Sequence, residues 1–279
     1  MTLPDSSEIR TLRDLACRLA TDAGEKIRAT RPAHAVVAAT KSSSVDPVTE
    51  MDQAIETFLR EAIQAARPHD AILGEEGDDI AGTSGLTWVI DPIDGTVNYL
   101  YGVGYFAVSV AVVAGSADPT QWTALAGCVH CVNDGRTWVA SAGQGATRDG
   151  KRLQPDHDPA PLESSLVATG FGYAASRRAS QARVLMELLP QIRDIRRLGS
   201  AAIDLCLLAD GSVDIYFERG LNPWDMAAGA LIAQEAGMDV MGLRGQRASA
   251  LMTVGGRGEA LESLVALLER HDADAPDGA

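Results

Sequence analysis

The sequence predicts an α/β protein on three observations. Helical and strand periods alternate along 279 residues without internal repeats or a low-complexity linker, 46% of the residues are hydrophobic, and turn and cap signals fall at the ends of those periods. A chain of that size and apolar content can bury a large core, as one domain or two subdomains, without a disulfide or structural metal. The formal charge is −14 and stays strongly negative with the five acids singled out below set aside. Nonspecific binding to nucleic acid or to anionic membrane is not expected at that charge. Residues 1–8 lack a basic segment leading into an apolar one, and the longest apolar stretch, residues 105–115, is too short to span a bilayer, so the expected location is the cytoplasm.

Ile9, Leu12, Leu15, Ala16, Leu19, Ala23 and Ile27 recur at helical spacing and predict a first amphipathic helix. After a polar segment, Thr49-Glu-Met-Asp52 forms a capping pattern ahead of Ile55, Phe58, Leu59 and Ile63. Asp52 then lies in a helix's first turn, where an acid complements the helix dipole whatever else it does. Residues 71–73 form a short buried strand, and Gly74-Glu-Glu-Gly77 beyond it is a tight loop whose carboxylates are either solvated or aimed inward. Trp88, Val89 and Ile90 form an apolar strand running into Asp91-Pro-Ile-Asp-Gly-Thr96. Pro92 has no N–H to give to a ladder, so the strand is predicted to stop there and leave Asp91 and Asp94 on a turn at its carboxyl end. Ligand crevices of open α/β sheets favour that place. Gly95 admits close approach to the backbone, and Thr96 offers a hydroxyl and an N–H to an oxyanion or a water. The same residues also make plain acidic turns, since Asp-Pro and Asp-Gly are common turn dipeptides.

Residues 106–113 are a β-rich run placed at a sheet centre. Residues 125–132 lead through Asn133-Asp-Gly135 into Thr137-Trp-Val-Ala140 and predict a β-hairpin. Cys128 and Cys131 lie on its first strand, and residues three apart on a strand point to opposite faces, so the Cys-Val-His-Cys motif is not expected to chelate one ion. Cys17 and Cys206 are distant singles, and all four thiols are read as structural.

The second half alternates more regularly. Residues 166–169 form a strand, residues 178–189 a helix ending at Pro190, residues 192–198 a strand, and Gly199-Ser-Ala-Ala202 opens a helix reaching Ala209. Residues 214–218 form a strand. Asn222 as N-cap, Pro223 at the first helical position and Gly237 past the last turn then delimit another helix, with Asp225 again in a first turn. Small Ala227, Ala228 and Gly229 would let that helix approach its neighbour closely. Residues 271–279 are acidic and poor in apolar side chains, and are predicted to be disordered.

Among Asp52, Glu75, Asp91, Asp94 and Asp225, four share one placement, the end of a strand or the start of a helix, where loops gather at one rim of an α/β sheet. Hard oxygen ligands without a histidine cluster point to Mg²⁺ or Mn²⁺. Phosphate is the matching substrate group, because Mg²⁺ usually works through a few carboxylates together with phosphate oxygens.

The run Asp91-Pro-Ile-Asp-Gly-Thr-Val-Asn-Tyr99, with Trp224-Asp-Met-Ala-Ala-Gly229, Gly74-Glu75-Glu76 and the segment from Lys41 to Asp52, resembles the inositol monophosphatase family, with the motifs in family order across nearly the whole chain. The resemblance implies a layered α/β/α/β/α sandwich within one catalytic unit, with subdomains at about residues 8–155 and 156–270, and a homodimer. It also implies two or three Mg²⁺ ions, replaceable by Mn²⁺, and sensitivity to Li⁺. Glu75, Asp91 and the Ile93 carbonyl match ligands of a first ion, and Asp91, Asp94 and Asp225 those of a second. Asp52 and Thr96 match the pair that orients and deprotonates the attacking water, with Glu75 also among the catalytic positions. Gly95 and Thr96 match backbone N–H donors to phosphate, Asp94, Asp225 and Glu218 match groups that meet the substrate, and Gly199, Ser200 and Ala201 match a loop on the alcohol side. The implied reaction is metal-assisted hydrolysis of myo-inositol monophosphate or a related small polyol phosphate. Alternatives are phosphatases of histidinol phosphate, fructose 1,6-bisphosphate or a nucleotide 2′- or 3′-phosphate, and, from another class, a binding protein in transcription or RNA processing. Val97 and Pro47 replace residues frequent in animal relatives, which leaves the acid set intact but loosens strict inositol specificity.

Overall fold

Asp5 starts the first element by accepting the N–H groups of Ser7 and Glu8 at 2.8 and 2.9 Å, which caps the helix α1, Ser6–Thr30. The computed structural model describes residues 3–31, 37–40, 47–154 and 160–275. Two short strands not foreseen in the polar segment, β1 (Val37–Thr40) and β2 (Pro47–Thr49), pair antiparallel, and Thr49 then caps α2 (Glu50–Ala66) with the expected capping box. The part of the family motif at residues 41–46 lies outside the described residues.

Seven strands follow in a sheet whose spatial order is the chain order: β3 (Ala71–Gly74), β4 (Leu86–Asp94), β5 (Ala107–Ala114), β6 (Thr123–Cys131), β7 (Thr137–Ser141), β8 (Gly145–Arg148) and β9 (Lys151–Arg152). The first pair is parallel and all later pairs antiparallel. The strand expected to stop at Pro92 instead continues to Asp94. Asp91 stands opposite Ser109 and Asp94 opposite Ala107, so the extra residue is absorbed in a bulge. Pro92 sits in that bulge, where no ladder donor is required of it. A six-residue helix missed by the periodicity, α3 (Thr96–Tyr101), follows at once. Gly95 precedes it at φ +97°, and a Cβ there would lie 3.0 Å from the Tyr105 carbonyl and 3.1 Å from the Gly199 carbonyl.

The second sheet is built from β10 (Leu166–Thr169), β11 (Asp194–Arg196), β12 (Ile215–Glu218), β13 (Asp239–Met241) and β14 (Thr253–Gly256), ordered β11-β10-β12-β14-β13. Its strands alternate with α4 (Ala175–Leu188), α5 (Ala201–Ala209), α6 (Pro223–Glu235) and α7 (Gly258–Arg270). Where residues 192–198 were expected to be extended, only the three residues of β11 pair.

Three apolar clusters define the layers. The predicted stripe of α1, with Ile55, Leu59 and Ile63 of α2, packs on Trp88, Ile90, Val108, Val110 and Val112 of the first sheet. α5 and α6 fill the space between the two sheets, and α4 and α7 cover the far face of the second through Val184, Leu188, Leu261 and Leu264. The architecture is therefore the α/β/α/β/α sandwich, as expected. The small residues of α6 do close the middle layer: a Cβ on Gly229 would lie 2.8 Å from Leu205 Cβ of α5, and one on Gly127 of β6 would lie 3.0 Å from Ala228 Cα.

Cys128 and Cys131 fall in different clusters on opposite faces of the sheet, as the strand period requires. The disordered tail expected from His271 is corrected in part: Ala273 is buried and Arg244 pairs with Asp272 and Asp274, so a closing turn extends the core after α7. Residues 276–279, and the expected subdomain boundary at 155/156, lie outside the described residues. No helix of the described residues is long and apolar enough to cross a membrane.

Candidate active site

The bulge in β4 and the starts of α5 and α6 converge on one cleft, of about 380 Å³. Asp91, Asp94 and Asp225 each offer a carboxylate oxygen there, all within 4.8 Å of one another. Asp91 is fixed by accepting the Ile93 N–H at 3.0 Å. Asp94 is fixed from across the molecule, for its Oδ2 accepts the Ser200 hydroxyl at 2.6 Å and the Ala202 N–H at 2.7 Å. Asp225 is the third residue of α6 and accepts the Asn222 N–H at 2.6 Å, so its helix cap also orients it.

Of the residues singled out in the sequence, Glu75, Ile93, Gly95, Thr96, Gly199, Ser200, Ala201 and Glu218 line the same cleft with these three acids. Asp52 stands behind Thr96. It is fully buried, its Oδ2 takes the Thr49 N–H at 2.9 Å and the Thr49 hydroxyl, and its Oδ1 lies 3.1 Å from Thr96 Oγ1. The Thr96 hydroxyl is also 3.1 Å from the Ile93 carbonyl, so its single proton serves one acceptor at a time. The capping reading and the active-site reading of Asp52 thus describe two oxygens of one carboxylate. Ser200, expected on the alcohol side, lines the cleft and is buried there, its hydroxyl donating to Asp94 and accepting the Ile203 N–H that caps α5.

Electrostatics agree with a site built for cations. Burial first, and then the charges of Glu75 and Asp94, push the Asp225 carboxyl well above the ordinary carboxylate range. Burial raises Asp94 to about 6 against the opposing hydrogen bonds from Ser200 and Ala202. Across the cleft burial raises Glu218 to about 7, although the Tyr216 hydroxyl donates to it at 2.8 Å. Clustered, desolvated carboxylates that repel one another fit a divalent cation, whose charge would favour their ionised forms. A raised folded-state pKa means that each acid holds its proton more tightly in the folded chain. In cation-free protein the associated stability is full below the unfolded carboxyl value of about 4 and is lost as pH rises through about 6 and 7. The melting temperature in EDTA should therefore fall from pH 5 to pH 8, and saturating Mg²⁺ should flatten that decline; a profile with the same slope in both conditions would contradict the cation assignment.

Sequence reasoning missed Glu56. Buried one turn beyond Asp52, it accepts the N–H groups of Glu76 and Gly77 at 2.8 and 2.7 Å and pairs with Arg60, which donates in turn to the Gly77 carbonyl. It thereby shapes the loop that carries Glu75, and a Cβ on Gly74 would lie 2.8 Å from its Oε1. The available signal was a charged stripe, Asp52, Glu56 and Arg60, at helical spacing beside an apolar face. Glu56→Ala should weaken the apparent affinity for activating Mg²⁺ by about tenfold or more, as loss of a group that orients a ligand does, read from the Mg²⁺ dependence of turnover; an unchanged dependence would remove Glu56 from the site. Asp204 was also missed. It is buried in α5 with neither oxygen hydrogen-bonded among the described residues, and burial, then Glu218 and Asp94, push it well up toward the neutral acid.

Comparison with known proteins places this geometry. Residues 8–273 match the model of the inositol monophosphatase family. The chain is 40% identical to the inositol-1-monophosphatase of Mycobacterium leprae, over 99% of each chain. It is 38% identical to the Nus factor SuhB of Vibrio cholerae, covering 83% of this chain and 85% of that one. Among solved structures it is similar to Mycobacterium tuberculosis SuhB, with a TM-score of 0.79 and 37% identity, covering 95% of this chain and 98% of the other.

Proposed function

The chain belongs to the inositol monophosphatase family, and from that membership we propose that it is a Mg²⁺-dependent phosphomonoesterase that hydrolyses myo-inositol monophosphate or a related small polyol phosphate. The observation that carries the reading is the convergence of Asp91, Asp94 and Asp225 on one point of the cleft, with the Asp52–Thr96 pair beside it.

A phosphate monoester dianion repels an incoming hydroxide, so hydrolysis needs neutralising charge on the phosphoryl oxygens and a nucleophile present at neutral pH. Mg²⁺, with Mn²⁺ as a substitute, would supply both when held by Glu75, Asp91, Asp94, Asp225 and the Ile93 carbonyl. The chain's own groups do the rest. Thr96 donates its hydroxyl proton to Asp52, which turns an oxygen lone pair toward the cleft to accept a hydrogen bond from the attacking water. Asp52 receives the proton that this water gives up, relayed through the threonine. The N–H groups of Gly95 and Thr96, which line the cleft, would donate to the phosphoryl oxygens. Glu218 and the backbone of Gly199 and Ala201, which line the same cleft, would meet the leaving polyol.

Cytoplasmic location, a homodimer and inhibition by millimolar lithium are part of the same reading. The test is phosphate release from inositol 1-phosphate, histidinol phosphate, fructose 1,6-bisphosphate, NADP and phosphoadenosine phosphate, with and without Mg²⁺. Mg²⁺-dependent release from inositol 1-phosphate supports it. No release from any ester would overturn it in favour of a binding role, the direction in which the name of the Vibrio cholerae relative points.

A further inference from the structure

Tyr216 and Glu218 stand two apart on β12, so their side chains share one face of the strand, and Tyr216 belongs to the apolar cluster between the two sheets. The neighbouring strand leaves room for both. β10 runs parallel beside β12 with Ala168 opposite Tyr216 and Thr169 opposite Phe217, so the next residue, Gly170, comes level with Glu218. Two of the smallest residues thus lie beside a phenol ring and a carboxyl group. The fit at the second is close, since a Cβ on Gly170 would lie 2.0 Å from Glu218 Oε1 and 2.2 Å from its Cδ. Any side chain there would displace the carboxyl group. The Tyr216 ring is fully buried, and its hydroxyl donates to Glu218 Oε2 at 2.8 Å. A phenol whose ring is locked in the core is a donor with little freedom to move.

A glutamate at a cleft wall has several side-chain torsions, and ordering them on binding costs rotamer entropy. Tyr216 and Gly170 do that ordering before a substrate arrives. With Oε2 occupied, Oε1 accepts no hydrogen bond among the described residues, and it is the oxygen left for the cleft that Glu218 and Gly170 both line. A carboxylate oxygen accepts and does not donate, so it favours a leaving alcohol that carries a further hydroxyl over one that carries none. We propose that Tyr216 is a positioning residue that sets specificity: its hydroxyl, working against the bare face of Gly170, holds Glu218 ready to accept from a second hydroxyl of the leaving polyol. The inference rests on the phosphomonoesterase reading and adds to it the group that makes the cleft selective for polyhydric alcohols. Tyr216 acts through Glu218 and not on the substrate.

The test compares kcat/KM on inositol 1-phosphate with kcat/KM on p-nitrophenyl phosphate, whose leaving group has no second hydroxyl, at saturating Mg²⁺. Y216F should lower the ratio of the first to the second by about tenfold, the scale of one hydrogen bond to a charged group. G170A should lower it in the same direction, with folding of both variants checked by melting temperature. If Tyr216 acts through Glu218, adding Y216F to E218A should leave the E218A ratio where it is. A ratio that Y216F leaves unchanged, whether both activities hold or both fall together as damage to the fold would make them, overturns the proposal. An undiminished effect of Y216F in the E218A background overturns it as well. If p-nitrophenyl phosphate alone is hydrolysed, the positioning role falls and a phosphatase remains; if neither ester is hydrolysed, the phosphatase reading falls with it.

Discussion

Asp91→Asn is expected to lower phosphate release at saturating Mg²⁺ by about a thousandfold or more while leaving the fold intact, the scale of losing a group aimed at transition-state charge. Asp91 is buried in the β4 bulge, and its oxygen lies within 4.8 Å of oxygens from both Asp94 and Asp225. The asparagine amide keeps the shape and, through its oxygen, can still accept the Ile93 N–H, but it removes the charge on which a shared cation would depend. The substitution should also have a signature in stability that separates loss of the cation from damage to the fold. Adding saturating Mg²⁺ should raise the wild-type melting temperature through preferential binding to the folded chain, and should leave the variant nearly unmoved. Near wild-type phosphate release by purified D91N would remove Asp91 from the metal site altogether.

The local half of this site was legible in the sequence because it rests on short-range chemistry. Thr49-Glu-Met-Asp52 and Asn222-Pro-Trp-Asp225 are capping boxes, and the cap that predicts each helix start also points each acid. The opposite faces of Cys128 and Cys131 follow from the strand period alone. What escaped depends on partners far along the chain. Ser200 meets Asp94 across 106 residues, and its hydroxyl reads locally as nothing more than an N-cap. Glu56 holds a loop about 20 residues away while looking like one more acid on an amphipathic helix. Pro92 misled for a related reason. Its missing N–H breaks a regular ladder, but β5 accommodates a bulge there, and only the pairing partner decides between a break and a bulge.

Asp52→Asn is expected to lower kcat by about 10²- to 10⁴-fold, the range of a positioned general base, with a much smaller change in Mg²⁺ affinity, because Asp52 stands behind Thr96 and outside the carboxylate cluster. Asparagine retains an oxygen that can accept the Thr49 N–H, so the α2 cap and the fold should survive. Asp52→Ala would add to the catalytic loss a capping loss of about 1 kcal/mol. Thr96→Val tests the other half of the pair, since it removes the hydroxyl at nearly constant volume, whereas Thr96→Ser keeps the hydroxyl and should keep most of the activity. If the threonine hydroxyl turns its lone pair to the water only by donating to Asp52, the two residues act as one unit. The double variant D52N/T96V should then be little slower than the slower single variant. Losses that multiply would mean that Asp52 and Thr96 contribute separately. In that case the 3.1 Å contact between them would position the two side chains and would not be the proton path.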